Sequence, residues 1–126
     1  MKPRPNRAGA SFRLSSAIEF ANVFARKARR DLGWIIMHAA PNDLGRTRLG
    51  LSIGTRVGKA VRRVRVKRMI REAFRLVRSE ITPGMDVVVS ARSHPDRPLA
   101  DYKHAIVEES KRLAVQLKLK DPRRDE

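Results

Sequence analysis

Apolar positions along this chain fall into two rhythms, one of helices and one of strands. Ile18, Phe20, Val23 and Phe24 recur at the three- and four-residue spacing of one helix face. Ser16 followed by Glu19 has the spacing of a capping box, in which each side chain satisfies a backbone N–H at the helix start. A helix is therefore predicted from about Ala17 to Ala28. The stretch from Gly33 to Ala40 is almost continuously apolar and stops at Pro41-Asn42-Asp43 and Gly45, as a buried strand closed by a turn would. Arg48-Leu49-Gly50-Leu51-Ser52-Ile53 alternates with period two and reads as a second strand. Gly54 and Gly58 bracket a short loop, and a long helix is expected from about Lys59 to Ser79, ended by Thr82-Pro83-Gly84. Met85 to Ser90, with Val87, Val88 and Val89 at its centre, is a third strand. After a loop from Arg92 to Pro98, the residues Leu99, Tyr102, Ile106, Leu113 and Leu117 mark one face of a last helix, Leu99 to Leu119.

The order is thus helix, strand, strand, helix, strand, helix. The middle strand–helix–strand segment is long enough to cross over between parallel strands. Few strands and amphipathic helices point to an α+β two-layer sandwich, about three helices packed on a small mixed sheet. Residues 1–10 combine two prolines, a glycine and three basic residues without apolar period, so they are expected to be a disordered basic arm. Residues 11–119 form one domain in this reading, and 120–126 a charged tail.

Charge changes the picture most. Among 126 residues, 29 are Lys or Arg and 13 are Asp or Glu, a net charge of +16. Such an excess repels itself in a compact state unless a polyanion is near, and it points to nucleic acid or an anionic surface. Arginine predominates, and its planar guanidinium pairs two phosphate oxygens at once. There is no cysteine, hence no disulfide framework or Cys-type zinc site. His38, His94 and His104 are scattered and lack companion carboxylates, so no metal or acid–base centre of the chain's own is expected. The longest apolar stretch, Trp34 to Pro41, is interrupted by His38 and too short to span a bilayer. No apolar segment of signal-peptide length follows the N-terminus, so a cytoplasmic protein without a membrane partner is expected.

From Arg56 to Arg78 there are ten basic residues and one acid, Glu72. On a helical wheel Val66, Met69, Ile70, Ala73, Phe74 and Val77 fall on one side, and Arg68, Arg71, Arg75 and Arg78 on the other. Like charges at these spacings destabilise an isolated helix, and an external anion is the natural compensation. Val57, Ala60, Val61 and Val64 break the pattern by projecting toward the arginine side. Either the helix begins later than Lys59, or these residues lie under a neighbouring loop.

The strand Arg48–Ile53 followed by Gly58-Lys59-Ala60-Val61-Arg62-Arg63-Val64-Arg65-Val66-Lys67-Arg68-Met69-Ile70-Arg71-Glu72-Ala73-Phe74-Arg75 resembles the signature of the bacterial ribonuclease P protein. The likeness extends over roughly residues 11 to 115. It implies a small sandwich with a left-handed β-α-β crossover, an exception to the usual handedness. It implies too that the chain is a non-catalytic subunit: an RNA subunit holds Mg2+ and cleaves the 5′ leader from precursor tRNA, with no further protein partner. Arg56, Lys59, Arg62, Arg63, Arg65, Lys67, Arg68, Arg71 and Arg75 then become the surface for the RNA subunit.

Phe20 and Phe24, in Glu19-Phe20-Ala21-Asn22-Val23-Phe24, resemble the family's segment that lines a leader cleft between the first helix and the sheet. Stacking on such rings grips unpaired bases, but an i, i+4 aromatic pair is equally an ordinary core feature. Three positions depart from the family pattern. Val64 stands where asparagine is usual, Lys59 where asparagine is frequent, and Met37 where a cleft tyrosine is common. They bear on leader recognition and on any metal site near the helix. Other readings of the same charge are a ribosomal or other structural RNA-binding protein, a DNA-binding protein with its helix in the major groove, and a self-sufficient nuclease. The second lacks a dimerisation heptad and the third lacks clustered carboxylates or histidines.

Overall fold

A computed structural model describes residues 12–121. The expected arm at 1–10 lies outside the described residues, as does the tail beyond Asp121. The elements are α1 (Ala17–Arg26), β1 (Ala28–Asp31), β2 (Ile35–Pro41), β3 (Arg48–Ser52), α2 (Ala60–Val77), β4 (Met85–Ala91) and α3 (Leu99–Gln116). Short 3-10 turns at Thr55–Val57 and Arg78–Glu80 flank α2. The sheet order is β1-β2-β4-β3. β3 and β4 pair in parallel with α2 as their crossover, while β1–β2 and β2–β4 are antiparallel.

The architecture is the expected α+β sandwich with a mixed sheet, and it gains one strand. β1 (Ala-Arg-Arg-Asp) exposes three of its four residues at the sheet edge, so it carries no apolar alternation to reveal it. It exists because α1 ends two residues early. Lys27 adopts φ 66°, and its N–H bonds to the Phe24 carbonyl, which turns the chain into the sheet.

The core has two unequal parts. Ile35, Met37 and Ala39 of β2 and Val87 and Val89 of β4 meet Val66, Ile70 and Phe74 of α2 and Tyr102, Ile106 and Leu113 of α3. On the other sheet face, Ala40 and Val88 meet Leu14 and Val23, with Phe20 alongside, beneath α1. Strand alternation thus sets Met37 against α2 and α3, completely buried, and turns His38 and Ala40 toward α1. Met37 therefore does not line a cleft beside α1. A one-residue difference in register exchanges the faces of a strand, and a motif match across an apolar run does not resolve it.

The basic helix does begin later than Lys59, by one residue, which removes Val57 from it but leaves Val61 and Val64 on it, under no loop. α2 begins at Ala60, and Val61 and Val64 stand in solvent, 83% and 51% exposed. Val57 precedes the helix in the 3-10 turn and is buried.

Arg48 ties α1 to the sheet. Its Nε and Nη2 donate to the two carboxylate oxygens of Asp86 at 2.9 and 2.8 Å, and its Nη1 donates to Glu19 at 3.0 Å. Asn42 Nδ2 donates to the same Asp86 at 2.7 Å. Glu19 also accepts from the backbone N–H groups of Ser15 and Ser16, completing the capping box. Those backbone bonds, with Arg48, hold its carboxyl below the usual range. At the opposite sheet edge, Arg92 clamps both oxygens of Asp31 while Gly33 N–H donates to it, holding that carboxyl far below its ordinary value.

Candidate nucleic-acid interface

α2 presents its apolar stripe to the sheet and most of its basic residues outward. The structure sorts the nine expected RNA-facing residues into two groups. Arg62 is partly buried and donates to Asp96 and to the His94 carbonyl, fastening the loop before α3 onto the start of α2. Arg65 approaches the same Asp96 at 3.5 Å. Arg75 forms a two-bond pair with Glu72, whose carboxyl it pulls below the usual range. Arg62 in particular is a loop anchor, a role invisible to a wheel that knows nothing of Asp96, 34 residues away. Arg56, Lys59, Arg63, Lys67, Arg68 and Arg71 enter no ion pair among the described residues. These six set the positive potential of this face.

The two expected cleft phenylalanines, one turn apart on α1, meet different strands. Phe24 is 40% exposed and meets His38 of β2 edge-on, with centroids 4.8 Å apart. His38 Nδ1 is buried without a hydrogen-bond partner among the described residues, and burial together with Arg29 disfavours its charged form. Phe20 reaches β3, where a Cβ on Gly50 would come within 2.7 Å of the Phe20 Cζ. Glycine at position 50 is what lets the ring approach the strand this closely.

Beyond Phe20, at the β3 edge, opens a groove of about 620 Å³. Phe12, Leu14 and Phe20 form one wall, β3 from Leu49 to Leu51 the floor, and Lys67, Arg68, Arg71, Arg75 and Arg78 the other wall. The segment before α1 makes the groove by joining the strand: Leu14 N–H donates to the Leu49 carbonyl at 2.9 Å. Arg78 lies 3.9 Å over the Phe12 ring. Phe12 was not foreseen as a site residue, because nothing in Ser-Phe-Arg-Leu marks it until the strand pairing brings it to α2.

The remaining histidines play other parts. His94 is buried, and its Nδ1 must donate to the Arg92 carbonyl at 2.7 Å, since a carbonyl only accepts. In the neutral ring Nε2 then accepts the Tyr102 hydroxyl at 2.8 Å, in a knot completed by Trp34. His104 is exposed. Among the described residues no group of three His, Cys, Asp or Glu is placed to hold a metal ion, and no helix is long and apolar enough to cross a membrane.

A sequence model of the family Ribonuclease P matches residues 9–115. This chain belongs to the ribonuclease P protein family. It is similar to the ribonuclease P protein component of Methylococcus capsulatus, 42% identical over 84 residues, which span 66% of this chain and 65% of that protein. The corresponding protein of Geobacillus kaustophilus is 36% identical over 100 residues, 79% of each chain. Among solved structures, the RNase P protein of Thermotoga maritima superposes with a TM-score of 0.70 at 26% identity, covering 79% of this chain and 96% of that one. The Staphylococcus aureus RNase P protein gives 0.69 at 25% identity, covering 82% and 94%. The ribonuclease P fold thus accounts for the sheet order and crossover, and the resemblance carried by the strand, loop and basic helix holds.

Proposed function

We propose that this chain binds the RNA subunit of ribonuclease P and the single-stranded 5′ leader of precursor tRNA, and so promotes removal of the leader in the cytoplasm. In this reading phosphodiester cleavage belongs to the RNA subunit, which holds the Mg2+, and no further protein is needed. The observation that carries the proposal is the face formed by α2 and the turn before it, where six basic side chains enter no ion pair among the described residues, in a chain of the ribonuclease P family.

These six are assigned to RNA-subunit phosphates. Arg65 and Arg75 flank them with part of their charge already met, and Arg62 contributes by holding the loop. Phe20 and Phe24 are assigned to unpaired leader bases, Phe20 beside β3 and Phe24 beside β2. Phosphate contacts position an RNA without reading its sequence, so affinity should depend on salt far more than on base identity.

Titrating the binding of a bacterial ribonuclease P RNA with salt tests this. Six neutralised phosphates give a log–log slope of about −4 to −5. A slope near zero would show that the α2 face does not meet the RNA.

A further inference from the structure

Val61 and Val64 have no work to do in the fold. Among the described residues Val61 is the most exposed large apolar side chain, and Val64 beside it is half exposed. Three residues apart on α2, they are neighbours on one side of the helix, with Cβ atoms about 5–6 Å apart. Neither belongs to either part of the core. A β-branched valine is a poorer helix former than alanine at an exposed position, so α2 would be at least as stable with alanine at both. A lone exposed valine is ordinary, but two at this spacing make an apolar step on a helix side that is otherwise basic.

The charges around the pair say what can cover it. Exposed cations precede it, Arg56 in the turn and Lys59 at the helix cap, and exposed cations follow it, Arg65, Arg68 and Arg71. Arg65 and Arg68 stand four residues beyond Val61 and Val64, hence on the same side. A single strand of RNA matches this order by itself, with a flat base between two phosphates. A paired base keeps both faces in its stack and has none to give, whereas an unstacked base can lie on side chains. We propose that Val61 and Val64 seat one unstacked base of the RNA subunit, with the cations on either side holding its flanking phosphates. The proposal rests on the reading of α2 as the RNA-subunit face and adds to it a contact that carries no charge. In the family pattern asparagine is usual at position 64, so half of this seat is particular to this chain.

Val61→Ala with Val64→Ala removes the step and keeps the helix. Affinity of the full chain for the ribonuclease P RNA of its own source should fall about tenfold, the scale of withdrawing about two methylene groups from burial. The melting temperature should stay or rise, because alanine is the better helix former. The log–log salt slope should not change, because no charge has been removed. Val61→Ile with Val64→Ile should retain the affinity. In the wild-type complex an unpaired base of the RNA subunit should be protected from a base-modifying reagent. The double alanine variant should expose that base while protection of the RNA backbone elsewhere persists. Unchanged affinity, a loss with an altered slope, or a loss with no base newly exposed would each overturn the proposal. So would a lowered melting temperature, which would make the valines structural, or a base exposed in precursor tRNA instead, which would make them a substrate contact. If the wild-type chain binds the RNA subunit with a slope near zero or not at all, the reading of α2 itself fails, and that result is distinct from the others.

Discussion

Replacing Arg48 by alanine is expected to destabilise the domain by about 3 kcal/mol, the lower end of the loss when one partner of a buried ion pair is removed. The Arg48 and Asp86 side chains are only 16% and 11% exposed, and they share two hydrogen bonds. Without the guanidinium, the Asp86 carboxylate keeps the Asn42 side chain as a partner and stays largely out of water with its charge unmatched. Urea denaturation should show a lower midpoint with an unchanged slope, the mark of lost stability without a change in the surface exposed. The double variant Arg48→Met, Asp86→Leu should recover much of the loss, because an apolar pair leaves no charge stranded. A single variant as stable as the wild type would mean that the bridge contributes nothing. Since Arg48 also holds Glu19, its loss should loosen the seat of α1 and with it the position of Phe20.

The second large effect is on binding. Arg68→Ala with Arg71→Ala should weaken affinity for ribonuclease P RNA by about 10- to 100-fold, since a hydrogen bond to a charged group contributes about 1.5–3 kcal/mol before water replaces part of it. Both side chains are exposed and enter no ion pair among the described residues, so the melting temperature should hardly change. The log–log salt slope should become shallower by roughly 1.5 to 2. Arg62→Ala should behave differently, lowering stability by releasing Asp96 and the loop before α3. Equal effects of the two sets on RNA affinity at unchanged stability would remove the distinction between binding residues and loop anchor.

How much of this could be read from the chain depends on how far apart the cooperating residues lie. The capping box at Ser16 and Glu19, the stripe from Val66 to Val77 and the Thr82-Pro83-Gly84 stop are local, and each appears in the structure as written. The family signature is local too, which is why the strand, loop and helix point to ribonuclease P. β1 was not legible because an exposed edge strand of Ala-Arg-Arg-Asp has no apolar rhythm. Met37 was placed on the wrong face because Ile35, Ile36 and Met37 are all apolar, so the run does not show which of them points inward. Arg62 and Phe12 owe their surroundings to partners more than 30 residues distant, Asp96 and Arg78. The groove exists only once the segment before α1 joins β3, a pairing that no periodicity announces.

The most direct test of the account is cleavage of a precursor tRNA by a bacterial ribonuclease P RNA at low Mg2+, with and without this protein. Strong stimulation with correct mature 5′ ends, lost on Arg68→Ala with Arg71→Ala, is the predicted result. Tight, salt-sensitive RNA binding with no stimulation of cleavage would contradict it, and would leave the chain with the family's fold but not the role proposed here.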